Sequence, residues 1–193
     1  MIGELGFVPG GVLFFLFFVL PFVLRSLTFI VLSEFFWVVM LVSTFVLGCV
    51  GVGSLLVGFV SGVLLCVVFW VGDLVSGFLG LGRCVDLVYG LVYTFPGVGF
   101  LVVGLVWIGV MEEIYWRGGL QGLLREMNLG GHVLVASIIY SMVHVVTFNP
   151  ILVIAAFIVG LILGIVAEKV GIVGSIIGHT LWLELILVIF PVR

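Results

Sequence analysis

The chain has 193 residues, of which 65% are apolar and 8% charged, with a formal net charge of −3. A mean hydropathy of +1.61 leaves too little polar surface for a water-soluble globule. Continuous rather than alternating apolar runs exclude the pattern of a membrane β-barrel, and no basic cluster is present to bind nucleic acid. The reading is an all-α polytopic integral membrane bundle, one transmembrane domain over 1–193, with membrane lipids as its surroundings.

The N-terminal ten residues hold Glu4 and no basic residue, so the start of the chain is read as leading into a retained span rather than a cleaved signal. Residues 11–32 form the first spanning candidate, interrupted by Pro21 and Arg25. The uncharged run 35–71 is too long for one span of about 20 residues, so it divides into two helices, broken at 48–54. Residues 72–86, with Asp73, Arg83 and Asp86 among glycines, read as a polar loop. A further span follows over 87–110, with Phe95, Pro96 and Gly97 as a kink or break.

Residues 112–126 mix polar and apolar side chains at helical spacing, too polar to face lipid all round. They read as a short helix lining the bundle or lying at the interface. A turn over 127–132 comes next. The run 133–167 again exceeds one span and breaks at Phe148, Asn149 and Pro150. Its second half carries Gly160 and Gly164 at the spacing of a close-packing face. Glu168 and Lys169 read as a polar turn, and 171–190 as the last span. The total is about eight helices, some short or kinked. The cysteines Cys49, Cys66 and Cys84 lack CxxC spacing and read as small apolar residues.

Charge inside such a bundle is costly unless it is paired or used. Glu113 and Arg117, spaced i and i+4 in the favourable order, are expected to pair. Glu112 is rotated by about 100° from Glu113 and has no such local partner. Burial raises the cost of its charge, as suits a general base. His144 follows Tyr140 by four residues on one helical face, and His179 lies within the last span. Each histidine alone is equally well read as a buried ring satisfied by a carbonyl or a serine, and His132 as a loop residue. Together, Glu112, His144 and His179 bring one ionisable group from each of three elements, and they are expected to converge in one cavity within the membrane. A Glu and two His can bind zinc or activate a water directly. The HExxH zinc-protease motif is absent.

The set EExxxR at Glu112 to Arg117, aromatic-xxx-His at Tyr140 to His144 and a late histidine at His179 resembles the CAAX prenyl protease and bacteriocin-processing (CPBP, Abi) family of intramembrane glutamate proteases. The resemblance covers about 95–190. Two positions depart from it: Tyr140 stands where phenylalanine is usual, and Leu183 where asparagine or aspartate follows the last histidine by four residues. The resemblance implies that Glu112 with His144 activates a water for attack on a peptide carbonyl, and that His179 stabilises the oxyanion, normally with the residue that is Leu183 here. Glu113 and Arg117 would hold the motif helix, with Tyr140 in support. It implies no catalytic metal or other cofactor, a hydrophobic or lipidated peptide substrate, and a multi-pass protein of the cell membrane. A non-catalytic immunity or scaffold protein of the same fold stands as the alternative. A proton-coupled transporter using the same three groups would be expected to show internal repeat symmetry, which is not evident.

Overall fold

The computed structural model describes residues 52–92 and 94–192, which fall in one compact unit, Val50–Arg193. The spans expected at 11–32 and in the first half of 35–71, and Cys49, lie outside the described residues. Among the described residues every regular element is helical. They are α1 (Val52–Phe78), α2 (Gly82–Val92), α3 (Val98–Glu126), α4 (His132–Val143), α5 (Pro150–Val170) and α6 (Ile172–Glu184). The expected total of about eight included the spans outside this range. Helices α1, α3, α5 and Ile172–Ile189 are each long and apolar enough to cross a membrane. The chain is accordingly a multi-pass membrane protein with an all-α bundle.

Several expected boundaries move. The polar loop over 72–86 shrinks to the residues between Phe78 and Gly82, because α1 continues through Gly72 and Asp73. A single acidic residue does not stop a helix; Gly80 does, at φ 73. There the Leu81 N–H bonds the Ser76 carbonyl at 2.8 Å and the Gly80 N–H bonds that of Gly77 at 3.2 Å, a left-handed C-terminal cap that glycine adopts without strain. The expected span over 87–110 does break at Phe95, Pro96 and Gly97, as the sequence marks, but its first part, α2, begins at Gly82 rather than 87. The polar segment 112–126 is not a separate helix. It continues α3, π-helical over Ile114–Gln121 and α-helical again over Gly122–Glu126. Its polar side chains need no separate element, because Glu112, Glu113, Arg117 and Gln121 are buried against neighbouring helices rather than turned to lipid.

The break at Phe148 to Pro150 falls where the sequence places it. After α4 the chain makes a short 3-10 turn, His144–Thr147, and Phe148 takes a left-handed φ of 52. Asn149 then caps α5: its Oδ1 accepts from the N–H groups of Ile151 and Leu152 at 3.1 and 3.2 Å. Its Nδ2 donates to the Cys84 carbonyl at 2.7 Å, tying α5 to α2. Pro150 at the first helical position has no N–H to leave unsatisfied.

Helix α6 is central, packing on α1, α3 and α5, while α4 packs on α5. Lipid supplies no hydrophobic drive between helices, so close backbone approach does much of the holding. A Cβ on Gly58 would lie 2.6 Å from the Gly174 carbonyl oxygen, and one on Gly62 2.9 Å from that of Gly178. Only glycine allows α1 that near to α6. The Gly160 and Gly164 face does the same for α4: a Cβ at Gly160 would meet Ser137 Cα at 3.1 Å. Glu168 and Lys169 belong to the last turn of α5 rather than to a loop.

Candidate active site

Helix α3 carries Glu112 and Glu113 near its middle. Successive helical residues point about 100° apart, so the two carboxylates reach different neighbours. Glu112 reaches α4, where the Tyr140 hydroxyl donates to its Oε2. Glu113 reaches α6, where His179 Nδ1 lies 2.8 Å from its Oε1. The i, i+4 pair also forms, with Arg117 3.1 Å from the same Glu113 oxygen. Glu113, Arg117 and His179 are all buried, with Glu113 at 0% exposure. Removing charge from water is tolerable here only because each charged group has a partner in place. Arg117 also donates to the Val159 carbonyl on α5 at 3.3 Å.

His144 opens the 3-10 turn below α4, partly exposed. Its Nδ1 is 2.9 Å from the Tyr140 carbonyl. A carbonyl can only accept, so Nδ1 carries the proton and Nε2 is the acceptor of the neutral ring. The His144 and Tyr140 rings meet edge to face with centroids 4.9 Å apart. By the same logic, His179 donates Nδ1–H to the Glu113 carboxylate.

The contacts of these residues fall into two linked clusters. One is Glu112, Tyr140 and His144; the other is Glu113, Arg117 and His179. None of Glu112, His144 and His179 hydrogen-bonds another among the described residues. The clusters meet where the Arg117 guanidinium stands over the Tyr140 ring, 5.0 Å from its centroid. Helical spacing left Glu112 with no partner and Glu113 with a single one. Tyr140 supplies the former, and His179 is a second partner for the latter. Neither is visible in that spacing, because both come from other helices.

Leu183 does not face a polar space. It packs at 8% exposure in an apolar cluster with Val92, Leu101 and Leu105. The Thr180 hydroxyl, next to His179 in the chain, is committed to the Ile176 carbonyl at 2.8 Å. Among the described residues no three His, Cys, Asp or Glu side chains gather as a metal-ligand set.

Sequence reasoning passed over Gln121. It is 2% exposed and donates from Nε2 to the Gly164 carbonyl at 3.0 Å and to Glu168 Oε1 at 2.9 Å. Its signal was its place one turn beyond Arg117, on the same helix and toward the same neighbour. His132, expected in a loop, begins α4 with its Nε2 3.3 Å from Glu168 Oε1.

Compared with protein families, residues 94–183 match the type II CAAX prenyl endopeptidase Rce1-like model. No curated protein and no solved structure matches the chain. The matched stretch contains Glu112, Glu113, Arg117, Tyr140, His144 and His179 in the order and spacing already described. Over residues 94–183 the chain is thus similar to the CAAX prenyl endopeptidase family, as the three motifs implied.

Proposed function

We propose that this protein is an intramembrane endopeptidase that cuts a peptide bond near the C-terminus of a prenylated or otherwise hydrophobic substrate. The observation that carries the reading is the Glu112 carboxylate, buried in an apolar bundle, held by Tyr140 and one ring away from the free Nε2 of His144. In this reading Glu112 and His144 share a water and take its proton as it attacks the scissile carbonyl. Tyr140 fixes one oxygen of Glu112 and leaves the other for the water. His179 donates from Nε2 to the developing oxyanion, which requires a proton on each ring nitrogen, with Nδ1–H kept on Glu113. Arg117 and Glu113 hold α3 and α6 in register for that contact. No metal takes part. The catalytic core is taken as about 95–190 of a single transmembrane domain, set in the cell membrane.

A second reading has one observation in its favour. Leu183, where the resemblance would have an amide or acid, is absorbed into the apolar cluster, so the oxyanion site has one donor fewer. Losing one such donor costs hydrolases about 10²–10³ in rate. A non-catalytic immunity or scaffold protein of the same fold would show the same feature. Purified protein in detergent, incubated with farnesylated C-terminal peptides and unmodified hydrophobic peptides, separates the two. Slow turnover that liberates a C-terminal fragment supports the protease; no cleavage over days by folded protein supports the non-catalytic reading.

A further inference from the structure

Helix α3 turns π-helical at the residue after Glu113. A π-helical stretch is not favoured on its own and tends to sit at functional positions, held by what surrounds it. Here two side chains of that stretch reach across to α5. Arg117 takes the Val159 carbonyl at 3.3 Å, and Gln121 takes that of Gly164 at 3.0 Å. The Gln121 contact is built on both sides. A Cβ on Gly164 would lie 2.9 Å from Gln121 Oε1, so the missing side chain makes room for the amide. Glu168, one turn further along α5, accepts from the same Nε2 at 2.9 Å. Glu168 is itself braced by Arg125 at 3.6 Å and His132 at 3.3 Å, from the ends of α3 and α4.

We infer that Gln121 is a positioning residue: its amide, locked between the Gly164 carbonyl and Glu168, fixes the register of the π-helical segment on α5 and so holds Arg117 against Glu113 and, through Glu113, orients His179. Gln121 touches neither His179 nor Glu112, so its effect on the site is entirely indirect. Only its consequence for turnover rests on the endopeptidase reading.

The test uses the full chain in detergent with ¹⁵N-labelled histidine, whose three residues, His132, His144 and His179, are few enough to assign. Gln121→Leu keeps the bulk and removes both hydrogen bonds. The expected result is a displaced His179 imidazole resonance, alongside the displacement of His132 that loss of a Glu168 partner produces in any case. A His179 resonance identical to wild type in folded Gln121→Leu protein overturns the inference. Gln121→Glu, close to the native size, turns the donor into an acceptor facing both the Gly164 carbonyl and Glu168. It is expected to displace the His179 resonance as well, and an unmoved His179 resonance in folded Gln121→Glu protein overturns the inference even if Gln121→Leu does not fold. Where the wild type cleaves peptide, kcat in Gln121→Leu should fall by up to about 10²-fold with KM unchanged. Absence of cleavage by the wild type counts against the endopeptidase reading, while the resonances still decide the role of Gln121.

Discussion

At the level of single residues, the two adjacent glutamates differ in what surrounds them. Glu113 is fully buried between Arg117 and His179. Glu113→Ala leaves the Arg117 guanidinium without its carboxylate in the bundle interior, where breaking one half of a buried pair costs about 3–5 kcal/mol. The expected outcome is a marked fall in the thermal midpoint of detergent-solubilised protein; an unchanged midpoint would remove Glu113 from its structural role. Tyr140→Phe makes the complementary test. It keeps the ring that packs on Trp116 and His144 and deletes only the donor to Glu112. A hydrogen bond to a charged group contributes about 1.5–3 kcal/mol to stability, so the thermal midpoint of Tyr140→Phe should fall, and an unchanged midpoint would mean that Glu112 draws no support from this hydroxyl. The i, i+4 pairing of Glu113 with Arg117 was legible from spacing. The contacts to Tyr140 and His179 were not, because they join residues far apart in sequence. Gln121 escaped notice because it carries no charge to mark it as costly.

Among the elements, proline-containing breaks were the most legible feature. Helical structure has ended by Val92 before Pro96 and by Thr147 before Pro150, and the extended preference of the residue before each proline keeps the gap open. Polarity was the poorer guide. Asp73 suggested a loop and lies inside α1; the charges after Val110 suggested a new helix and lie on the old one. In a bundle, a helix can carry polar groups on the face its neighbours cover, so composition alone does not mark its end. The glycine faces give a direct test of packing. Gly62→Leu introduces a side chain where even a Cβ would sit 2.9 Å from the Gly178 backbone oxygen. Overpacking of this kind costs about 1–3 kcal/mol, and a lower thermal midpoint is expected. The same change at Gly72, where a Cβ would have nothing within 4 Å, should leave melting close to wild type. Equal effects at the two positions would mean that α1 and α6 do not depend on close approach.

For the whole molecule, the described bundle gathers its polar groups around α3. On one side stand Tyr140 and His144 from α4, on the other His179 from α6, with α5 carbonyls behind Arg117 and Gln121. That the charges at 112–117 need partners was legible from the rarity of charge in the chain, and the three motifs in order resemble the family whose model matches 94–183. How the groups divide between two clusters was not, since that depends on which helices flank α3. In the proposed mechanism base chemistry falls to the Glu112 side and oxyanion binding to the His179 side, and the Arg117 guanidinium over the Tyr140 ring joins the two. The most direct measurement is cleavage of a farnesylated C-terminal peptide by wild-type protein and by Glu112→Ala, each with and without a strong chelator. The account predicts wild-type cleavage that survives chelation and falls in Glu112→Ala by about 10²-fold or more, the scale of a lost general base. Cleavage that persists in Glu112→Ala, or that stops on chelation, would contradict it.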